Sequence, residues 1–291
     1  MGTTLVGLWL AAAVAAAQQG GGAYPPQLDG ARVETYKTVN GVKMNLYIFT
    51  PAAHKPSDKR AAVVFFFGGG WNNGNPKQFE QQSRHLASRG MVAITADYRV
   101  ASRHGVKAVD CVRDAKSAIR WVRQNAARLG IDPRRIAAGG GSAGGHLAAA
   151  TGVIADLDES SEDLKVSSRP NALVLFNPAL VLAGVARETR GIDLSERAGI
   201  DPVRISPLQH VEKGAPPTII FHGKADTTVP YVTAEMFAKK MAAVASRCEL
   251  VGFEGQTHGF FNYGRDQNKM YEATLQKADE FLVSLGYLPP P

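Results

Sequence analysis

A chain of 291 residues, 45% apolar and 20% charged, can bury the core of one domain, and disorder is not its default state. The formal charge of +7 is spread over residues such as Lys55, Lys59, Arg60, Arg84 and Arg89 without interleaved aromatics. That pattern excludes a nucleic-acid partner and leaves solubility, or weak affinity for acidic polysaccharide, as its use.

Leu5 to Ala17 is an apolar run too short to span a membrane. Ala15-Ala16-Ala17 before Gln18 fits a small-residue cleavage site, although no Lys or Arg precedes the run. Residues 1–17 are therefore expected to be an export signal for a secreted or periplasmic protein. Residues 18–31 read as a flexible Gly/Pro-rich segment, and 32–288 as the folded domain. No later segment is long and apolar enough to span a membrane.

Val33 to Val39 and Lys43 to Phe49 read as strands joined at Asn40-Gly41, a hairpin signal. Arg60 to Phe67 is a continuous apolar run, as expected for a strand covered on both faces. A helix is expected near Gln78 to Arg89, a strand at Met91 to Ala96, and an amphipathic helix from Val106 to Leu129 that Gly130 ends. Further strands are expected at Arg135 to Ala138, Ala172 to Phe176, Pro216 to Phe221 and Cys248 to Phe253. Helices follow Ser142, run from about Val232 to Ala243, and close the chain at Asn268 to Leu285. This alternation predicts an α/β class with a mostly parallel sheet and helices on both faces. The mixed, poorly periodic stretch at about 179–210 reads as a small lid insertion. Cys111 and Cys248 lack metal-ligand spacing and are expected to be two separate buried thiols.

Gly140-Gly141-Ser142-Ala143-Gly144 matches G-x-S-x-G, a turn that lifts a serine hydroxyl from a strand end onto a helix start. A serine hydroxyl needs a base to take its proton, and the base needs an orienting group. Asp226 follows the strand ending at Phe221, and His258 follows the last strand, in the order Ser…Asp…His. His85 and His104 fit that order worse. His146 reads as packing or hydrogen bonding, and His222 as structural support. Phe67-Gly68-Gly69-Gly70-Trp71 follows the first central strand, and its glycines permit close backbone approach to a developing negative charge. No G-K-[ST] follows them, which disfavours a phosphate loop.

With these motifs in place, the chain from about residue 40 resembles an α/β-hydrolase of the esterase/lipase group with a His-Gly-Gly-Gly-type oxyanion loop. It is more similar to the secreted acetyl- and feruloyl-esterase-like members than to the hormone-sensitive-lipase branch. The resemblance implies Ser142, Asp226 and His258 as catalytic residues, with the oxyanion held by Gly69, Gly70 and Ala143, Trp71 N–H being a further candidate donor. It implies a structural ion pair between Asp97 and Arg99 under the glycine loop. The family histidine before the glycines, which braces the loop, is Phe67 here. Trp71 and Phe260, with Phe261, are candidates for lining the substrate pocket, and core packing accounts for them equally well. The implied reaction is hydrolysis of short-chain acyl or carbohydrate-linked esters, acetyl or feruloyl, without cofactor or metal. The substrate would be a small-molecule or polysaccharide ester, and the oligomeric state is left open. Two alternatives stand beside it: a peptidase of the prolyl-oligopeptidase type, for which no propeller sequence is present, and a non-catalytic protein of the same fold.

Overall fold

In the computed structural model, which describes residues 24–183 and 195–290, the chain alternates strands and helices from Arg32 onward. The strands are β1 (Arg32–Val39), β2 (Val42–Phe49), β3 (Arg60–Phe66), β4 (Val92–Ala96), β5 (Ile131–Gly141), β6 (Ala172–Phe176), β7 (Thr218–Gly223) and β8 (Cys248–Phe253). They form one sheet in the order β1-β2-β4-β3-β5-β6-β7-β8. β1 and β2 pair antiparallel, β2 meets β4 antiparallel, and the strands from β4 to β8 run parallel. Asn40 and Gly41 both take left-handed φ in the hairpin between β1 and β2. That is the turn whose twist matches its flanking strands.

The helices are α1 (Glu80–Ser88), α2 (Ala101–His104), α3 (Ala108–Gln124), α4 (Ala143–Val153), α5 (Ser195–Ala198), α6 (Tyr231–Ala243) and α7 (Lys269–Ser284). β3 shows how they divide. Ala62, Val64 and Phe66 point into the core shared with α3, α4 and α6. Ala61, Val63 and Phe65 point into the core shared with α1 and α7. The period of two thus supplies both faces, and each buried Phe contributes about 1.5–3 kcal/mol. Among the described residues, no helix is long and apolar enough to cross a membrane.

Some expectations change. The long helix is only α3, because Lys107 is extended and the Asp110 carboxylate accepts its N–H at 3.1 Å, while Asn125 to Gly130 forms turns. The expected export signal (1–17) and residues 18–23 lie outside the described residues. Of residues 24–31, expected to be flexible, most are exposed, but two are tied to the domain: Leu28 is buried with Tyr47, Phe49 and Ala87, and the Tyr24 hydroxyl donates to Asp97. Of the expected lid, 184–194 lie outside the described residues. Its flanks, Leu180 to Leu182, Ile205 and Leu208, belong to the main core. Both cysteines are free, and Cys248 is half-buried rather than buried, since β8 lies at one edge of the sheet.

Candidate active site

β5 ends at Gly141 and α4 begins at Ala143, so Ser142 between them makes the whole change of direction. Its φ of 54° and ψ of −119° are unfavourable for a residue with a Cβ. The surroundings hold it there. Ser142 N–H donates to Phe176 O at 2.9 Å, and Ser142 O accepts from His146 N–H at 2.9 Å. A Cβ on Gly144 would lie 2.0 Å from Phe66 O, and one on Gly140 would lie 2.4 Å from Gly144 O. The glycines flanking Ser142 are therefore dictated by the approach of α4 to β3.

β7 and β8 deliver the partners. Asp226 follows β7 and His258 follows β8. His258 Nε2 lies 2.9 Å from Ser142 Oγ, and His258 Nδ1 lies 2.7 Å from Asp226 Oδ2. The structure thus brings together the three residues expected from the sequence. A carboxylate only accepts, so Nδ1 carries the hydrogen and Nε2 presents a lone pair to the serine hydroxyl. The other oxygen, Asp226 Oδ1, accepts from the N–H groups of Thr228 and Val229, each at 2.9 Å. Burial alone would raise the Asp226 pKa. His222, His258 and the Val229 N–H outweigh it and hold the carboxyl well below the usual carboxylate range. His222 also donates from Nε2 to Val229 O at 2.8 Å, which braces the turn carrying Asp226.

The glycine loop lies beside the serine: a Cβ on Gly68 would be 3.4 Å from Ser142 Cβ. Gly69, Gly70 and Trp71 all take positive φ. Gly68 N–H is occupied by Gln78 Oε1 at 2.6 Å. Among the described residues, the N–H groups of Gly69, Gly70, Trp71 and Ala143 donate to no protein acceptor. Ala143 is the first residue of α4, where the helix dipole adds partial positive charge. Phe67, just before the glycines, stacks on Tyr98 at 4.0 Å, and the Tyr98 hydroxyl donates to Phe67 O at 2.7 Å.

Trp71 and Phe260 take the second of the two roles expected of them, and Asp97 and Arg99 depart from expectation. Trp71 is buried in the core, where its indole N–H donates to His146 Nδ1 at 3.1 Å. Phe260 is buried too, tilted against Phe253 at 5.0 Å. Both pack against the hydrophobic core. Asp97 and Arg99 do not pair. Arg99 grips the fully buried Asp114 with two bonds of 2.8 Å, because α3 brings that carboxylate closer. Asp97 instead accepts from Tyr24 OH and Tyr98 N–H, and burial pushes its carboxyl up to about 6. His146 matches its reading as a packing and hydrogen-bonding residue: Nε2 donates to Ile205 O at 2.6 Å. Gln78 and Asn262 were not foreseen, since a lone amide in a sequence carries no signal of its partner. A cavity of about 480 Å³ lies elsewhere, lined by Lys116, Arg120, Asp158 and Arg169. Its buried cations are already paired, Lys116 with Asp158 at 2.7 Å and Arg120 with Glu162 at 2.5 Å.

The family model described as the alpha/beta hydrolase fold matches residues 63–262. Esterase LipC of Mycobacterium tuberculosis is 30% identical over 221 residues, which cover 70% of this chain and 54% of LipC. The chain thus spans about half the length of that relative. Esterase 2 of Thermogutta terrifontis, solved with propionate bound, is 56% identical with a TM-score of 0.88, covering 92% of this chain and 99% of that one. The same esterase phosphorylated by paraoxon is 55% identical with a TM-score of 0.87 and the same coverage.

Proposed function

The chain belongs to the α/β-hydrolase family, among its esterases, and on that premise we propose a serine carboxylester hydrolase with Ser142 as nucleophile, His258 as base and Asp226 as its anchor. The observation that carries this reading is the line of two hydrogen bonds, 2.9 Å from Ser142 to His258 and 2.7 Å from His258 to Asp226. Ser142 Oγ attacks the ester carbonyl carbon as its proton passes to His258 Nε2. The tetrahedral oxyanion rests on the N–H groups of Gly69, Gly70 and Ala143. One such donor is worth about 3–4 kcal/mol in the transition state. Collapse expels the alcohol, protonated by His258, and leaves an acyl-serine. His258 then takes a proton from water, whose oxygen attacks the acyl carbon and releases the acid.

The acyl group is short. Propionate bound to the Thermogutta esterase supports this. Reaction of that esterase with paraoxon, a phosphorylating agent, supports a nucleophile of the same kind. The refinement to acetyl or feruloyl esters of polysaccharide rests on the sequence resemblance alone. Export, with cleavage after Ala17, rests on the signal-like pattern of residues 1–17. An amino terminus at Gln18 in secreted protein would support it.

The test is a panel of p-nitrophenyl acetate, butyrate and octanoate, methyl ferulate and acetylated xylan, with a proline-peptide arm for the peptidase alternative. Acetate and butyrate should be the best of the p-nitrophenyl esters, and Ser142→Ala should lose about a thousandfold or more. Preference for octanoate would overturn the short-acyl reading. Full activity in Ser142→Ala would overturn the mechanism.

A further inference from the structure

The glycine loop and the loop bearing His258 come from distant parts of the chain, yet the chemistry requires a fixed spacing between them. A continuous line of amide hydrogen bonds joins them. Gly68 N–H donates to Gln78 Oε1 at 2.6 Å, and Gln78 Nε2 donates to Asn262 Oδ1 at 2.9 Å. Asn262 Nδ2 then donates to Gly259 O at 2.9 Å, one residue beyond His258. Each side-chain amide uses its oxygen on one side and its nitrogen on the other, so the two orientations fix one another.

Both ends of the line are anchored. Gln78 sits in a short 3-10 turn, Pro76–Phe79, capped by the Asn75 side chain. Thr95 Oγ1 on β4 donates to Pro76 O at 2.7 Å, and the Phe79 ring stacks on Phe65 of β3 at 4.8 Å. At the other end, Asn177 Oδ1 accepts from Gly259 N–H at 3.3 Å, and Arg265 donates to His258 O at 2.9 Å. Phe67 offers the glycine loop no hydrogen-bonding side chain. Gln78 is the side chain that holds the loop's first glycine amide, and by taking Gly68 N–H it leaves those of Gly69 and Gly70 for the oxyanion.

We propose that Gln78 and Asn262 are positioning residues that lock the oxyanion loop to the base loop. Both are half-buried and act through Gly68 and Gly259, not on substrate. The proposal rests on the roles given above to Ser142, His258 and the glycine loop. Misplacing reacting groups by 1 Å can cost about a hundredfold in rate. Gln78→Ala and Asn262→Ala should each lower kcat by about tenfold with little change in KM. The double variant should be no worse than the worse single variant, because both break one line.

Hydrogen–deuterium exchange on the resting enzyme gives a readout independent of turnover. Asn262→Ala should speed exchange in the peptide covering residues 67–71, and Gln78→Ala in the peptide covering 258–262. Gln78→Glu keeps an acceptor for Gly68 N–H but no donor for Asn262. It should speed exchange at 258–262 as Gln78→Ala does, while disturbing 67–71 less than Gln78→Ala, since either carboxylate oxygen can accept from Gly68 N–H. Exchange changes confined to the substituted loop, or kcat losses that multiply in the double variant, would overturn the proposal. A fully active Ser142→Ala would overturn the esterase mechanism while leaving the exchange result to judge the lock.

Discussion

Asp226 shows how much one carboxylate is asked to do. The N–H groups of Thr228 and Val229 claim Oδ1, so only Oδ2 faces His258. In Asp226→Asn those two donors would keep the amide oxygen on their side. The NH₂ group would then face His258 Nδ1, which would have to accept. The ring hydrogen would move to Nε2 and point at Ser142 Oγ, where it cannot take a proton. We expect kcat to fall by about 10⁴-fold with the fold intact, measured by p-nitrophenyl acetate turnover alongside thermal unfolding. A loss below tenfold would show that orientation of His258 comes from elsewhere.

At the level of elements, the approach of α4 to β3 decides whether Ser142 is presented at all. The 2.0 Å between a Cβ on Gly144 and Phe66 O leaves no room for a methyl group, since both are backbone-fixed. Gly144→Ala should cost about 3 kcal/mol, at the upper end for overpacking, and urea unfolding would measure it. A cost within 0.5 kcal/mol would mean that α4 is free to slide. The same element was among the most legible in the sequence. G-x-S-x-G encodes a steric requirement between neighbours, and Arg60 to Phe67 encodes a strand buried on both faces. The order of Ser142, Asp226 and His258 was legible because strand ends of a parallel sheet converge. The Arg99–Asp114 pair was not, because choosing between Asp97 and Asp114 depends on where α3 lies. Nor was the Gln78–Asn262 contact, which joins residues 184 apart in sequence. Burial of Trp71 depends on His146 accepting its indole N–H, again a matter of packing.

For the molecule as a whole, two buried groups pull its acid stability in opposite directions. Burial lowers the His146 pKa from 6.5 to about 4, so the neutral ring is favoured in the fold. Its contribution is present above pH 6.5 and is lost as pH falls toward 4. Burial raises the Asp97 pKa from 3.8 to about 6. Its contribution is present below pH 3.8 and is lost as pH rises through 6. The two thus oppose one another between about pH 4 and pH 6. Asp97→Asn should therefore make the protein lose stability on acidification through that window more steeply than wild type. His146→Gln should shift the slope the other way. Urea unfolding at pH 7 and pH 4.5 checks both signs, and parallel slopes in all three proteins would contradict them. The proposed mechanism depends on Ser142 Oγ being the atom that becomes acylated. Treatment with paraoxon followed by peptide mass spectrometry tests this most directly. We predict one diethylphosphoryl group per chain, on Ser142, gained in step with loss of ester hydrolysis; a label on another residue, or full activity in the labelled protein, would contradict it.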